Sequence, residues 1–530
     1  MQEDRIQAKE EKEARLREIS MITQKLGPPD YKDDQHSTLE HCHIDSGSWI
    51  LNKPEFVRWK TAQDLTNAVL YINGMPGAGG WHFLHYTVEI TNTTRGKTTL
   101  ASQIVNHLQS SAGIHRSPCL FFYFKHQSDT MQSFACLLRA LLVQLLEEDS
   151  TLAEAFYQKY HSISISEARS SYRLKEFAAE LLKSQNRCFI ILDGLDECPD
   201  DDSPSEATRI LKWFLTYIVS DGLKMGSNIC LLVSGQRDGT LDRLLSGYPS
   251  IQLDILEDHL NDIHAFTQTR VSAIGHRFDL EPQEEAEIIK KVTATSEGMF
   301  LYTKVVMDNL MAQVSAAELD EELTVNFPKG LSAAYERVIT RILDRPTRSR
   351  SQRDAAGKIL NWVTCAARPL KWREIQCLLC VDAQKGSCNP RKRCADSCKD
   401  LCGSLIEADQ RDNELKGTEL IINIVHDTAR RYLIQTERVN VIQHNADIAL
   451  FSSAYLASPP FREDISDEEI LQVALTGFYG FHDYTVETWQ HHIRLAFGDI
   501  TQLCPTICHQ LRKFVGVFWT FKMSNWISIL

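Results

Sequence analysis

Four short runs of β-branched, aromatic and aliphatic residues constrain this chain more than any other feature. They are Val69-Leu70-Tyr71-Ile72, Leu120-Phe121-Phe122-Tyr123-Phe124, Phe189-Ile190-Ile191-Leu192 and Ile229-Cys230-Leu231-Leu232-Val233. None alternates with polar residues, so each strand must be covered on both faces, and the stretches between them are long enough to be helices. An α/β fold, a parallel sheet with helices on both faces, meets both conditions. The chain has 530 residues, 43% of them hydrophobic, so three or four domains with ordinary cores are expected, and disorder as the main state is not.

Around that sheet, assigned to residues 46–250, the pattern changes in steps. Residues 1–45 read as a charged helix and linker. Six basic and six acidic side chains in the first 25 residues surround a sparse apolar set, Ile6, Leu16, Ile19 and Ile22, as in a solvated or weakly paired helix. Residues 251–330 turn helical and end at Phe327-Pro328-Lys329-Gly330. Residues 331–440 mix helices with one strand candidate, Leu420 to Val425, and read as a small α+β module. The tail, 441–530, reads as helical and truncated, and no internal repeat is visible.

Two separated pieces of sequence carry phosphate chemistry. Gly74-Met75-Pro76-Gly77-Ala78-Gly79 follows the first strand, and Lys97-Thr98-Thr99-Leu100 opens a helix. Joined, they make G-x-x-x-x-G-K-[ST], in which glycines let backbone N–H groups converge on phosphates, the lysine neutralises the β and γ oxygens, and the hydroxyl holds Mg²⁺. Residues 80–96 interrupt the motif with an aromatic, β-prone stretch beginning Gly80-Trp81-His82-Phe83. Closing an extra loop of that size costs only about 2.5 kcal/mol, so the fold can survive while the site does not. The codons for Gly79, Thr91-Asn92 and Arg95-Gly96 are compatible with intron signals, and an unspliced intron is the reading adopted. A genuine insertion that remodels the loop is the alternative.

The third apolar run ends in Asp193-Gly194-Leu195-Asp196-Glu197, carboxylates where a cation and an attacking water need them. Asp193 is the Mg²⁺ candidate, and Glu197, with Asp196 second, the candidate to polarise water. After the fourth run, Arg237 in Ser234-Gly235-Gln236-Arg237 is placed to sense a γ-phosphate.

At these residues the sequence resembles the NACHT family of signal-transducing P-loop ATPases, in the fungal subgroup described as nephrocystin-3-like at its N-terminal part. Leu192 to Cys198 is the most specific match. Gly47-Ser48-Trp49-Ile50-Leu51, Ser296-Glu297-Gly298-Met299-Phe300-Leu301-Tyr302 and Phe327 to Leu331 resemble other segments of that subgroup. The resemblance implies a P-loop domain followed by helical and winged-helix modules. It also implies bound ATP or ADP with Mg²⁺, and a switch between a closed ADP form and an open, self-associating ATP form. It implies that His426, in Val425-His426-Asp427-Thr428, approaches the bound ADP, whereas the residues alone equally suit a structural histidine. Phosphate contacts are expected from Gly74, Gly77, Gly79, Lys97, Thr98, Thr99, Arg237 and His426. The alternative from another class is a non-catalytic scaffold whose broken loop binds no nucleotide.

Composition limits the partners. With 70 acidic against 57 basic residues, a net charge of -13 and no long basic run, a nucleic-acid partner is not expected. The charged start and the lack of a long apolar stretch argue against a membrane span. Fifteen cysteines, several inside apolar runs, suit a reduced protein in the cytoplasm. Six of them, Cys377, Cys380, Cys388, Cys394, Cys398 and Cys402, invite a zinc reading, but the last three repeat every four residues, as one stripe of a helix does. Asn92-Thr93-Thr94 matches a glycosylation acceptor that an intracellular chain does not use.

Overall fold

The structure is a computed structural model that describes residues 17–32, 35–36, 47–74, 96–110, 117–124, 133–160, 162–198, 204–237, 239–345, 348–409, 419–462 and 465–497. Two compact units divide between Met307 and Asp308.

The apolar runs of the first unit become strands β1 (Val69–Gly74), β2 (Cys119–Tyr123), β3 (Arg187–Asp193) and β4 (Asn228–Gln236), joined by a short β5 (Ser250–Gln252). All pair in parallel, in the order β2-β3-β4-β1-β5. Every residue of β1 and β2 is buried, as strands covered on both faces require. The covering helices include α1 (Gly96–Ser110), α2 (Phe134–Glu148) and α3 (Ser171–Lys183). Eleven of the fifteen residues of α2 are buried, so it is an interior helix rather than an amphipathic one. Gln144, the polar exception, bonds the backbone of Phe121 through both its Oε1 (3.0 Å) and its Nε2 (2.8 Å). A helical segment completes the unit: α4 (Glu257–Phe278), α5 (Pro282–Ser296) and α6 (Phe300–Met311), the last crossing the division between the units.

The expectation of a solvated N-terminal helix is corrected over the described part of it. A helix at 17–26 packs on the sheet domain with Ile22 and Leu26 buried, and Tyr31 follows them inward. Ile19, Ile22 and Leu26 share one face, and counting Leu26 with them supplies the apolar stripe that the charge density hides. The helix end is held by arginines: Arg139 donates to the carbonyls of Leu26 (3.3 Å) and Gly27 (2.7 Å), and Arg169 to that of Lys25 (3.0 Å). Further on, Gln35 donates to the Ser102 carbonyl (3.0 Å) and accepts from the Tyr123 hydroxyl, so this segment fastens α1 to β2.

The second unit is mostly helical. After the end of α6 and a helix at Ala316–Thr324 come α7 (Leu331–Ile339), α8 (Arg350–Cys365) and α9 (Trp372–Cys380). A small antiparallel sheet runs β6 (Leu370–Lys371), β10 (Ile421–Ile424), β9 (Ile406–Asp409), with a separate hairpin of β7 (Val381–Asp382) and β8 (Ser387–Cys388). Then come α10 (Asp427–Gln435), α11 (Val441–Leu456), α12 (Asp467–Leu475) and α13 (His482–Phe497). Only β10 was expected: β6, β7 and β8 have two residues each, and β9 reads Ile-Glu-Ala-Asp, without the apolar run that marks β10. The cysteine stripe is corrected in part: Cys398 and Cys402 share a five-residue helix, but Cys394 precedes it. Among the described residues no three His, Cys, Asp or Glu side chains are placed to share a metal ion. None of the described cysteines forms a disulfide.

Candidate nucleotide site

The site forms where β1, β3 and β4 end side by side. Gly74, the last residue of β1, lies beside Gln236, and its carbonyl accepts from the Arg237 N–H (3.3 Å). Gly77, Gly79 and residues 80–95 lie outside the described residues. Chain resumes at Gly96, and the first turn of α1 carries Lys97, Thr98 and Thr99.

Thr98 and Asp193 meet. The Thr98 hydroxyl donates to Asp193 Oδ2 at 2.6 Å, joining the start of α1 to the end of β3. Asp193 is buried at the last position of a strand and Thr99 is buried in the turn beside it. After Asp193 the chain turns sharply: Gly194 N–H donates to the Ser234 carbonyl (3.1 Å), and a 3-10 turn, Leu195–Glu197, is closed by Glu197 N–H on the Gly194 carbonyl (2.8 Å). This turn puts two further carboxylates at the same edge of the sheet.

Lys97 sits among them. Withdrawal from water pushes its ammonium below the usual lysine range, while Asp196, Asp193, Glu197 and Asp254, in that order, pull it back up. Burial raises the Asp196 carboxyl, opposed by Lys97 and by the N–H of Gln236. Asp196 therefore faces inward. A Cβ at Gly235 would stand 3.0 Å from Asp196 Oδ1 and 2.8 Å from Leu241 Cδ1, so only glycine leaves room for that carboxylate. Arg237 lies at the rim, its Nη1 3.7 Å from Asp254 Oδ2.

The structure thus brings Gly74, Lys97, Thr98, Thr99, Asp193, Asp196, Glu197 and Arg237 to one edge of one sheet. His426 belongs to the second unit, where it caps α10. Its Nδ1 accepts from the Thr428 N–H (3.2 Å), and the Thr428 hydroxyl, 2.9 Å from Nδ1, is also 2.9 Å from the Tyr335 hydroxyl. A neutral ring accepting at Nδ1 carries its proton on Nε2. Two residues at the first unit's site were missed. Gly235 gave no signal in an apolar strand, and Asp254 follows a strand only three residues long.

Residues 90–235 match the family model described as nephrocystin 3, N-terminal, and residues 343–450 match that of the GPI inositol-deacylase winged helix domain. The first match begins downstream of Gly79. No curated protein matches the chain. Among solved structures, the Walker-type ATPase PABY2304 of Pyrococcus abyssi is similar at 14% identity over 62% of this chain and 94% of that one, with a TM-score of 0.21, too loose a superposition to inform the site. A parallel five-stranded sheet with Lys97, Thr98 and Asp193 at its carboxyl edge is an α/β fold of the P-loop NTPase class. With one segment similar to the nephrocystin 3 N-terminal region and, after it, one similar to a winged helix domain, the chain fits a P-loop NTPase of the NACHT type.

Proposed function

We propose that this chain binds ATP and ADP with Mg²⁺ and works as a nucleotide-dependent switch, with slow ATP hydrolysis returning it to the ADP form. The observation that carries the reading is the 2.6 Å contact of Thr98 with Asp193, beside a lysine ringed by carboxylates. A hydroxyl and a buried carboxylate on adjoining elements suit Mg²⁺, an oxygen-seeking ion that completes its shell with phosphate and water oxygens. Thr98 and Asp193 would hold the ion, which when bound neutralises charge on the phosphates. Lys97 would neutralise the β and γ oxygens, with Gly74, Gly77 and Gly79 framing the loop and Thr99 closing the turn. Glu197, on the turn after β3, would polarise water, with Asp196 second. Arg237 would sense the γ-phosphate, and the Nε2–H of His426 would donate to the β-phosphate in a closed ADP form. Free cysteines suit a reducing compartment such as the cytoplasm, and self-association or protein partners are the proposed output. Among the described residues no helix is long and apolar enough to cross a membrane.

A second reading is favoured by the interruption at 80–96: a scaffold whose loop no longer closes on phosphate. Nucleotide content separates the two. Protein purified without added nucleotide, denatured and chromatographed, should release ADP or ATP if the switch reading holds. In Glu197→Gln the released nucleotide should shift toward ATP, because binding persists while hydrolysis slows. A chain that releases none and takes none up is the scaffold.

A further inference from the structure

Asp254 stands out among the groups that the proposed chemistry does not use. It lies on a 3-10 turn, Leu253–Ile255, just after β5. Its side chain is 9% exposed, and Oδ1 is buried with no hydrogen-bond partner among the described residues. Oδ2 accepts from Gln252 Nε2 at 3.1 Å and is 3.7 Å from Arg237 Nη1. The same carboxylate is within Coulombic reach of Lys97.

Its backbone is clamped. Gly298, at φ 75, lies against it so closely that a Cβ there would stand 2.5 Å from the Asp254 carbonyl oxygen and 2.9 Å from its Cα. The Gly298 carbonyl is in turn 3.0 Å from Nε2 of His259, which is fully buried on α4. The turn is also closed by Leu256 N–H on the Leu253 carbonyl (3.1 Å). The carboxylate is therefore fixed. Arg237 is not: its side chain is 44% exposed and the pairing is loose. When a third phosphate competes for the guanidinium, the arginine moves and the aspartate stays.

We propose that Asp254 is a positioning residue of the nucleotide site, a fixed carboxylate that restrains Arg237 and so sets how strongly a triphosphate is preferred to a diphosphate. The proposal rests on the nucleotide reading above. With Lys97 and Arg237 set against Asp193, Asp196, Glu197 and Asp254, the formal charge of this edge is two positive against four negative, and Asp254 is the carboxylate nearest the proposed γ-phosphate sensor. It opposes the extra charge of a third phosphate twice, by repulsion and by occupying the arginine that would meet it.

The test uses the full chain and Asp254→Asn, which keeps shape and an acceptor for Gln252. First, without nucleotide, Arg237 modification by a dicarbonyl reagent is followed by mass spectrometry, with Arg350, 90% exposed, as internal standard. Arg237 should react several times faster in the variant. Second, binding of Mg²⁺ with ADP and with a non-hydrolysable ATP analogue is compared by equilibrium dialysis. The variant should bind the analogue about tenfold more tightly and ADP within about twofold of the parent. Arg237→Gln should do the reverse, weakening the analogue and sparing ADP, and it serves should the first variant fold poorly. Unchanged Arg237 reactivity overturns the proposal, and so does an equal shift in both nucleotides. A chain that binds neither nucleotide in any form overturns the nucleotide reading and this proposal with it, whereas binding without discrimination overturns the proposal alone.

Discussion

His492 shows what one buried side chain costs when its partners are fixed. On α13 its ring lies between Asn445 and Tyr484: Nδ1 is 2.8 Å from Asn445 Oδ1 and Nε2 is 2.8 Å from the Tyr484 hydroxyl. The Ala367 N–H donates to that hydroxyl (3.0 Å), and Asn445 Nδ2 donates to the Val441 carbonyl (2.8 Å). Every hydrogen bond is satisfied by a neutral ring that donates at Nδ1 and accepts at Nε2. Burial, then His491, push its pKa from 6.5 down to about 3. Below pH 6.5 the unfolded chain takes up a proton that the folded chain refuses until about pH 3, so stability is complete above 6.5 and falls with pH across that window. The slope is about 1.4 kcal/mol per pH unit at most. Urea unfolding between pH 7.5 and 5.5 should show the second unit losing stability on acidification, and His492→Gln should flatten that slope; equal slopes would contradict the assignment.

Most of the site residues were legible one at a time, because each chemistry demands a particular side chain. Asp193 ends an apolar run, Arg237 lies four residues past another, and Lys97 and Thr98 complete a glycine-rich phosphate motif. Asp254 and Gly235 were not legible. Their importance comes from what approaches them in space, a lysine and arginine in one case and a carboxylate in the other, and neither approach leaves a trace in local sequence.

At the scale of elements, the first unit's strands that could be read are those apolar on both faces, since the sheet buries nearly all of their residues. β5 was missed because three residues carry too little pattern, and the packed helix at 17–26 because the charges of the whole stretch 1–25 mask its three-residue apolar stripe. The segment from α4 to α6 depends on a backbone contact that no pattern reveals. Gly298 must adopt a left-handed conformation and leave the Asp254 carbonyl free of any Cβ. Gly298→Ala should cost about 1 kcal/mol for the conformation and about 1–3 more for the clash, lowering the apparent melting temperature of the first unit. Gly226→Ala is the control, with φ 87 but nothing within 4 Å of the added methyl, and should show only the first cost. Equal losses in both variants would mean that the Gly298 contact is not tight.

For the whole molecule, the proposed switch needs the second unit to respond to nucleotide held by the first. His426 is the residue assigned to that task, and its cap on α10 complicates the usual alanine test. His426→Asn keeps a side-chain oxygen for the Thr428 N–H and removes only the Nε2–H donor. A charge-assisted bond to phosphate is worth about 1.5–3 kcal/mol, so its loss should speed ADP release about tenfold or more and favour self-association. Release rates and sedimentation matching the parent would leave His426 as a cap and nothing more.

The central claim is that Lys97, Thr98 and Asp193 hold a magnesium nucleotide when Gly79 and Lys97 are contiguous. Titration calorimetry of MgADP into the chain as written, a version lacking residues 80–96, and that version carrying Lys97→Ala tests it directly. Binding should be tightest in the shortened chain, weaker by about tenfold or more in the chain as written, and absent in the Lys97 variant. Equal affinity with and without residues 80–96, or binding that survives Lys97→Ala, would contradict it.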